Sequence, residues 1–305
     1  MTESESVGRT PVASAGSLQA RDVRLDAAHL GELRRTDPEA GVEDLHRRLD
    51  EDGYLYLPAF HDPDDVRAVR ADVGGRFAAG GLLDSSALPD RLVATEALPQ
   101  PSVRADIARA SAPLTELLYR GRTLALHEAM FGEPVAHLDY TWLRVVPPGP
   151  GTKPHGDGVF MNRGSQRLRT TWTPLSDAGF DVGGLIILEG SHHLPEITDD
   201  YGRRDVDSYC ENKGEAPGAW DGSISHDPAA LRERLGGRWL TADFRAGDII
   251  VFGMFTVHGS LDNTSDQVRM STDSRYQPAA DPADERWIGP EPIAHGPDAK
   301  KGIIC

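Results

Sequence analysis

Three side chains set the geometry this chain has to satisfy. His155 and Asp157 stand two residues apart, His258 follows about a hundred residues later, and Arg269 lies eleven beyond that. Two imidazoles and one carboxylate can hold one face of an octahedral ferrous ion and leave the opposite face open for a co-substrate and dioxygen. On an extended strand side chains alternate faces, so His155 and Asp157 would project to the same side and one strand would supply two ligands. The third ligand has to come from a strand distant in sequence but near in space, as in a closed or sandwiched antiparallel sheet.

The surroundings of His258 read as a hairpin. Asp248-Ile249-Ile250-Val251-Phe252 is an apolar run, Leu261 to Asp266 a polar turn, and Val268-Arg269-Met270-Ser271 a returning strand. A turn centred between Asn263 and Thr264 would set Arg269 across the strands from His258. A guanidinium is permanently charged and forks onto carboxylates, so Arg269 suits the far carboxylate of a dicarboxylic acid whose other end chelates the metal. The co-substrate implied is 2-oxoglutarate.

These residues carry a family resemblance. His155, Asp157, His258, Arg269 and Ser271 stand as they do in the phytanoyl-CoA dioxygenase family of iron(II)/2-oxoglutarate enzymes. Gly183-Gly184-Leu185 through Glu189-Gly190-Ser191-His192 is similar to that family's central segment, with Glu189 where proline is usual. Phe244-Arg245-Ala246-Gly247-Asp248, then His258-Gly259-Ser260 and Asn263, resembles its second half, and Asp52 to Pro58 its opening strand. The likeness spans roughly residues 40 to 278. It implies an α+β fold with a double-stranded β-helix (jelly-roll, cupin-like) core buttressed by N-terminal helices. It implies Fe(II), 2-oxoglutarate and O2 as cofactor and co-substrates, with Trp172, Tyr140 and Ser271 joining Arg269 around the 2-oxoglutarate. The reaction implied couples decarboxylation of 2-oxoglutarate, giving succinate and carbon dioxide, to hydroxylation of an unactivated C–H bond. Asp157 leaves no coordination position for a halide, so hydroxylation is preferred over halogenation. Desaturation, cyclisation and epimerisation begin with the same hydrogen abstraction and stay open.

Plainer readings compete for each residue alone. A second His-x-Asp, His137-Leu138-Asp139, has the same spacing. His155 is preferred because the Pro147–Gly151 segment leads into it as into a cavity rim, whereas His137 opens an apolar run. His258 alone reads as a hydrogen-bonded core histidine, Arg269 as a surface ion pair worth little, and Trp172 as a core aromatic. A cupin-like hydrolase or isomerase could use the same ligands for zinc or manganese, but would have no use for Arg269. A ligand-binding relative without turnover would not need an intact ligand set. No Gly-x-Ser-x-Gly elbow, phosphate-binding Gly-rich loop or His-Glu-x-x-His helix occurs.

The formal charge of −16 argues against nucleic acid or an anionic membrane as partner, since both attract basic surface. It also favours a small metabolite or natural-product intermediate over a long acyl-CoA. Cys210 and Cys305 form neither a metal pair nor a disulfide framework, which points to a reducing cytoplasm. No apolar stretch is long enough to span a membrane, and the first twenty residues have neither a basic start nor an apolar stretch, so a secretory signal is not expected. Oligomeric state is not readable.

Residues 1–20, rich in Ser, Thr, Ala and Gly, are expected to be a disordered tail, and 21–305 a single domain. Val42, Leu45 and Leu49 recur at helical spacing up to Gly53. Asp62-Pro63 opens a second helix bearing Val66, Val69, Val73 and Phe77, and a third helical region runs from about Ser102 to Met130. Residues 193–239, charged and irregular, are expected to form a lid-like insertion. Candidates for the substrate pocket are Phe160, Met161, Trp220, Arg275 and Trp287.

Overall fold

The structure, a computed structural model, describes residues 9–88, 91–207, 220–295 and 299. Helices dominate the first part of it. α1 (Val42–Asp52) ends where Gly53 takes the left-handed conformation, φ 77°, that a helix C-terminus needs and a side chain resists. α2 (Pro63–Ala79) starts at Asp62, whose side chain accepts a hydrogen bond from the Asp64 amide, with Pro63 at the first helical position. The expected third helical region is three helices, α3 (Ala105–Ala110), α4 (Ala112–Tyr119) and α5 (Gly121–Phe131). Pro113 near the start of α4 and Gly121 at the start of α5 mark the breaks.

Strands follow in two main sheets. The larger runs β4 (Tyr54–Leu57), β11 (Ile249–Gly253), β8 (Arg169–Pro174), β13 (Arg269–Pro278), β7 (Trp142–Val146) and β5 (Ser102–Val103), with β6 (Val135–His137) also on β13. The smaller runs β12 (His258–Ser260), β9 (Leu185–Leu188), β10 (Trp239–Thr241) and β3 (Leu30–Glu32). Before it comes a small hairpin of β1 (Leu18–Ala20) and β2 (Val23–Leu25). Pairing is antiparallel except between β10 and β3.

Burial explains the layering. Val69, Val73 and Phe77 of α2 and Leu114 and Leu118 of α4 pack with Leu143, Val145 and Met270 on one face of the larger sheet. Leu45, Leu126 and Met130 of α1 and α5 cover Leu55, Leu57, Ile249 and Val251. The sheet's other face meets the smaller sheet: Tyr54, Tyr56, Trp172, Ile250 and Phe252 share a cluster with Leu185, Ile187 and Phe244. Each such buried side chain contributes roughly 1.5–3 kcal/mol. This is a mixed α and β fold with its site between the sheets.

Two expectations are corrected. The expected hairpin does not form: β11 and β13 both pair with β8, Ile250 and Asp273 each facing Trp172, and His258 lies on β12 in the other sheet. Apolar runs report burial, not partners, and here the chain leaves one sheet after Gly253, adds β12 to the other, and returns. Residues 9–20, expected to be disordered, are packed. Arg9 forks onto the buried Asp248 at 2.6 and 2.8 Å, and Val12, Leu18 and Ala20 enter the core. Residues 1–8 lie outside the described residues, as do both cysteines. Among the described residues no helix is long and apolar enough to cross a membrane.

One buried histidine ties the helices to the sheet. His127 of α5 is fully buried, stacks on Tyr276 at 3.8 Å and bonds Thr171 through Nε2 at 2.9 Å. Burial pulls its pKa down to about 3, with Arg169 adding to the effect. In the unfolded chain the same group takes up a proton near 6.5. Its contribution is therefore fully present above pH 6.5 and is lost as pH falls toward 3. Over that window His127→Phe should flatten the fall of unfolding free energy by about 1.4 kcal/mol per pH unit, read from urea melts at several pH values. Parallel curves for variant and parent would show that His127 does not titrate on unfolding.

Candidate active site

The triad forms, but not as two ligands on one strand. His155 makes an isolated antiparallel bridge with His258, its amide donating to the His258 carbonyl at 2.9 Å and its carbonyl accepting from the His258 amide at 2.8 Å. After Gly156 the chain leaves extended geometry. Asp157 is helical, φ −65° and ψ −19°, at the start of the short α6 (Gly158–Met161). Strand alternation therefore does not place Asp157; the turn does. Gly156 permits it, since a Cβ there would lie 3.2 Å from the Met254 carbonyl oxygen and 3.4 Å from the Tyr201 ring. Tyr201 also accepts the Gly156 amide hydrogen at 3.1 Å.

Donor chemistry fits a metal. His155 Nδ1 faces the Lys153 carbonyl at 2.7 Å and His258 Nδ1 the Thr256 carbonyl at 3.0 Å. A carbonyl only accepts, so each Nδ1 carries hydrogen and each Nε2 presents a lone pair. Asp157 Oδ2 accepts from Thr170 Oγ1 at 2.5 Å and from Arg275 Nη2 at 3.1 Å, leaving Oδ1 3.9 Å from His258 Nε2. One ligand atom from each of the three residues lies within 4.8 Å of the others, and this is the one such group among the described residues. Burial lowers the His155 pKa to about 3, aided by His258 against the pull of Asp157, so the ring is neutral as a ligand must be. Burial raises Asp157, but Arg275, the two imidazoles and Thr170 together outweigh it and hold the carboxylate well below its usual range. The rival His137 lies on β6, stacked on Tyr119 at 4.0 Å and outside the site.

Beyond the two histidines lies a small inner cavity. Its lining includes Arg144, Trp172, Leu185, Arg269 and Asp273. Arg269 is 2% exposed; it donates to the Gly183 carbonyl, and its Nε, like the hydroxyl of fully buried Ser271, has no partner among the described residues. Burial, with Arg144 nearby, draws its pKa down to about 10, so it is still a cation at neutral pH. A buried guanidinium and hydroxyl with unspent hydrogen bonds fit the distal carboxylate of a dicarboxylic acid. Trp172 forms part of the wall, edge-on to Phe244 at 5.0 Å.

On the other side of His155 opens a cavity of about 680 Å³. Tyr140, Trp142, Phe160, Met161, Arg275 and Trp287 line it. Tyr140, expected beside 2-oxoglutarate, thus lies in this outer cavity and not the inner one; it packs against Trp142 at 4.6 Å and Trp287 at 5.2 Å. Arg275 has two faces: its guanidinium lies 3.8 Å from the Trp142 ring centroid while Nη2 holds Asp157. Trp220 is not in the wall; it meets Tyr201 edge-on at 6.0 Å, and its neighbours Asp221 and Ser223 reach the cavity instead. Thr170, Tyr201, Arg144 and Asp273 were not singled out from sequence. Period-2 alternation from Trp172 and Arg269 marks Thr170 and Asp273; nothing in the sequence signals Tyr201.

The family model for phytanoyl-CoA dioxygenase matches residues 49–271. The chain belongs to that family. It is 30% identical to the 1-deoxypentalenic acid 11-beta-hydroxylase of Streptomyces arenae over 278 residues, 86% of this chain and 90% of that one. Among solved structures it resembles the epimerase SnoN in complex with Fe3+, alpha ketoglutarate and nogalamycin RO, at 25% identity and TM-score 0.57, covering 85% and 95% of the two chains. EctD from S. alaskensis, with 2-oxoglutarate and 5-hydroxyectoine, shares the fold at 18% identity and TM-score 0.57, over 93% and 92%. This phytanoyl-CoA dioxygenase family member is an iron, 2-oxoglutarate-dependent oxygenase, with His155, Asp157 and His258 as its potential iron site.

Removing Arg269 should separate co-substrate from metal. Two charge-assisted hydrogen bonds lost at about 1.5 kcal/mol each correspond to roughly 100-fold in affinity. Arg269→Ala should therefore raise the 2-oxoglutarate dissociation constant by roughly that factor while leaving Fe(II) affinity within about threefold, both read by titration calorimetry. Asp157→Ala should abolish succinate formation. Wild-type behaviour from both variants would contradict the assignment.

Proposed function

We propose that the protein hydroxylates an unactivated C–H bond of a small, largely hydrocarbon natural-product intermediate, with release of succinate and CO2. The observation that carries this reading is placement: His155 borders both the inner cavity, with its unspent guanidinium, and the aromatic outer one. A metal at the triad would face co-substrate on one side and substrate on the other.

Each residue then has a task. His155, Asp157 and His258 hold the iron, Arg269 and Ser271 take the far carboxylate of 2-oxoglutarate, and Trp172 closes the wall beside it. Iron(II), once bound there, supplies dioxygen activation coupled to 2-oxoglutarate decarboxylation. Arg275 and Thr170 keep Asp157 charged and its Oδ1 turned toward His258. The wall of Tyr140, Trp142, Phe160 and Trp287 excludes water and lays the substrate's C–H bonds against the site. A cavity of about 680 Å³ suits a compact molecule better than an extended acyl-CoA. A double-stranded β-helix core accords with the two facing sheets. The insertion at 193–239, which sends Asp221 and Ser223 to the cavity, is read as its lid; residues 208–219 of it lie outside the described residues.

The similarity to SnoN supports a second outcome from the same hydrogen abstraction, epimerisation. Product analysis separates the two, since only hydroxylation adds an oxygen atom.

Anaerobic addition of Fe(II) and 2-oxoglutarate should produce the visible charge-transfer absorption of the chelate, and aeration should then give one succinate per 2-oxoglutarate consumed. A colourless complex and no succinate would remove the oxygenase reading. For the lid, limited proteolysis within 193–239 should slow when substrate is added; equal rates would count against closure.

A further inference from the structure

The outer cavity is lined by four permanent cations, and three are already matched. Arg275 bonds Asp157 at 3.1 Å, Arg144 bonds Asp273 at 2.6 Å, and Lys153 bonds Asp221 at 2.5 Å. The fourth, Arg21, forms no ion pair among the described residues. Its guanidinium makes one hydrogen bond, from Nη1 to the Gly151 carbonyl at 3.2 Å, and its Nε is buried without a partner. In a chain of formal charge −16, with acids to spare, an unmatched guanidinium in a substrate-sized cavity is the feature that needs explaining.

The backbone around it is built to hold one position. Arg21 and Asp22, in the turn between β1 and β2, both adopt left-handed conformations, φ 57° and 63°, which cost on the order of 1 kcal/mol each for residues with a side chain. The Asp262 carboxylate, 4% exposed, offsets that cost. It accepts the amides of Arg21 at 2.6 Å, Asp22 at 2.8 Å and Gly151 at 2.7 Å. Gly151 has to be glycine, because a Cβ there would stand 2.2 Å from the Ser260 carbonyl oxygen. The turn is thus fastened to the cavity rim through backbone amides. The guanidinium is not required for that fastening and is left available.

We propose that Arg21 reads a carboxylate on the substrate, whose hydrocarbon body lies against the Tyr140, Trp142, Phe160 and Trp287 wall. This rests on the outer cavity being the substrate site. A planar fork matches a carboxylate with two parallel hydrogen bonds. One unmatched cation balances a monoanion; a diphosphate would leave charge uncompensated, since Arg144, Lys153 and Arg275 are engaged with acids of this chain.

The test uses a rigid hydrocarbon acid and its neutral counterpart, 1-adamantanecarboxylate and 1-adamantanemethanol. Each is titrated into the full-length protein loaded with Mn(II) and saturating 2-oxoglutarate, so that Arg269 is occupied, and quenching of Trp142 and Trp287 fluorescence is followed. Wild type should bind the acid roughly tenfold tighter than the alcohol, with a preference that shrinks as salt is raised. Arg21→Gln should bring the two to within about twofold while leaving alcohol affinity unchanged, and Arg21→Lys should keep part of the preference. Equal binding of both compounds by wild type, an acid preference that survives in Arg21→Gln, or no saturable response to either would overturn the proposal. The iron and 2-oxoglutarate absorption, recorded separately, reports on the oxygenase reading; its loss with a normal acid preference would sink that reading and not this one.

Discussion

The reciprocal pair of backbone hydrogen bonds between His155 and His258 is the constraint from which the site is built. It joins a loop that follows β7 to a strand of the other sheet, about a hundred residues away, and brings the imidazole centroids to 4.3 Å. Side chains alone could not be trusted with that placement, because each histidine has two rotatable bonds and a solvated alternative. With the backbones paired and each Nδ1 bound to a carbonyl two residues back along its own chain, both Nε2 atoms are aimed before any metal arrives.

β13 supplies the complementary half. Its even-numbered residues Met270 and Tyr276 face the helices, while Arg269, Asp273 and Arg275 face the cavities. A run of charged side chains on the inner face of a buried strand is costly unless each is matched. Asp273 is matched by Arg144 and Arg275 by Asp157, and Arg269 has only a carbonyl. On the proposed reading, that residual imbalance is where a dianionic co-substrate would gain its affinity. Breaking the Arg275 contact would remove the strongest charge partner of Asp157 and raise its pKa, so a residue that lines the outer cavity also governs how strongly the carboxylate can serve a metal.

Much of this was readable from the chain, for identifiable reasons. Helix α1 announced itself through period and glycine stop at Val42–Gly53, and α2 through cap, proline and period at Asp62–Phe77. The ligand set was readable because chemistry limits which residues can do that work. Strand partners were not. Ile249–Phe252 and Val268–Ser271 look like arms of a hairpin because the polar turn Leu261–Asp266 leads into the second, yet both pair with β8, and β12 is inserted between them to complete the other sheet. Alternation likewise failed at Asp157, since the rule holds only while the backbone stays extended and Gly156 is where it stops. Arg275 was identifiable as a pocket residue but not as the partner of Asp157, because that contact depends on the turn into α6.

The N-terminal segment shows why polar composition is a poor guide to disorder in such a protein. Counted by apolar residues, positions 9–22 have little to bury. Two carboxylates of the core reverse the balance. Asp248 accepts from Arg9, Tyr56 and the amides of Ala59 and Arg245, while Asp262 accepts from Arg21, Asp22 and Gly151. A buried carboxylate deprived of such donors is destabilising by several kcal/mol, so the core stabilises the segment through hydrogen bonds at least as much as through apolar area. One of those two anchors ends at the rim of the outer cavity. The turn that immediately follows the segment composition would set aside thereby lines the outer cavity through Arg21.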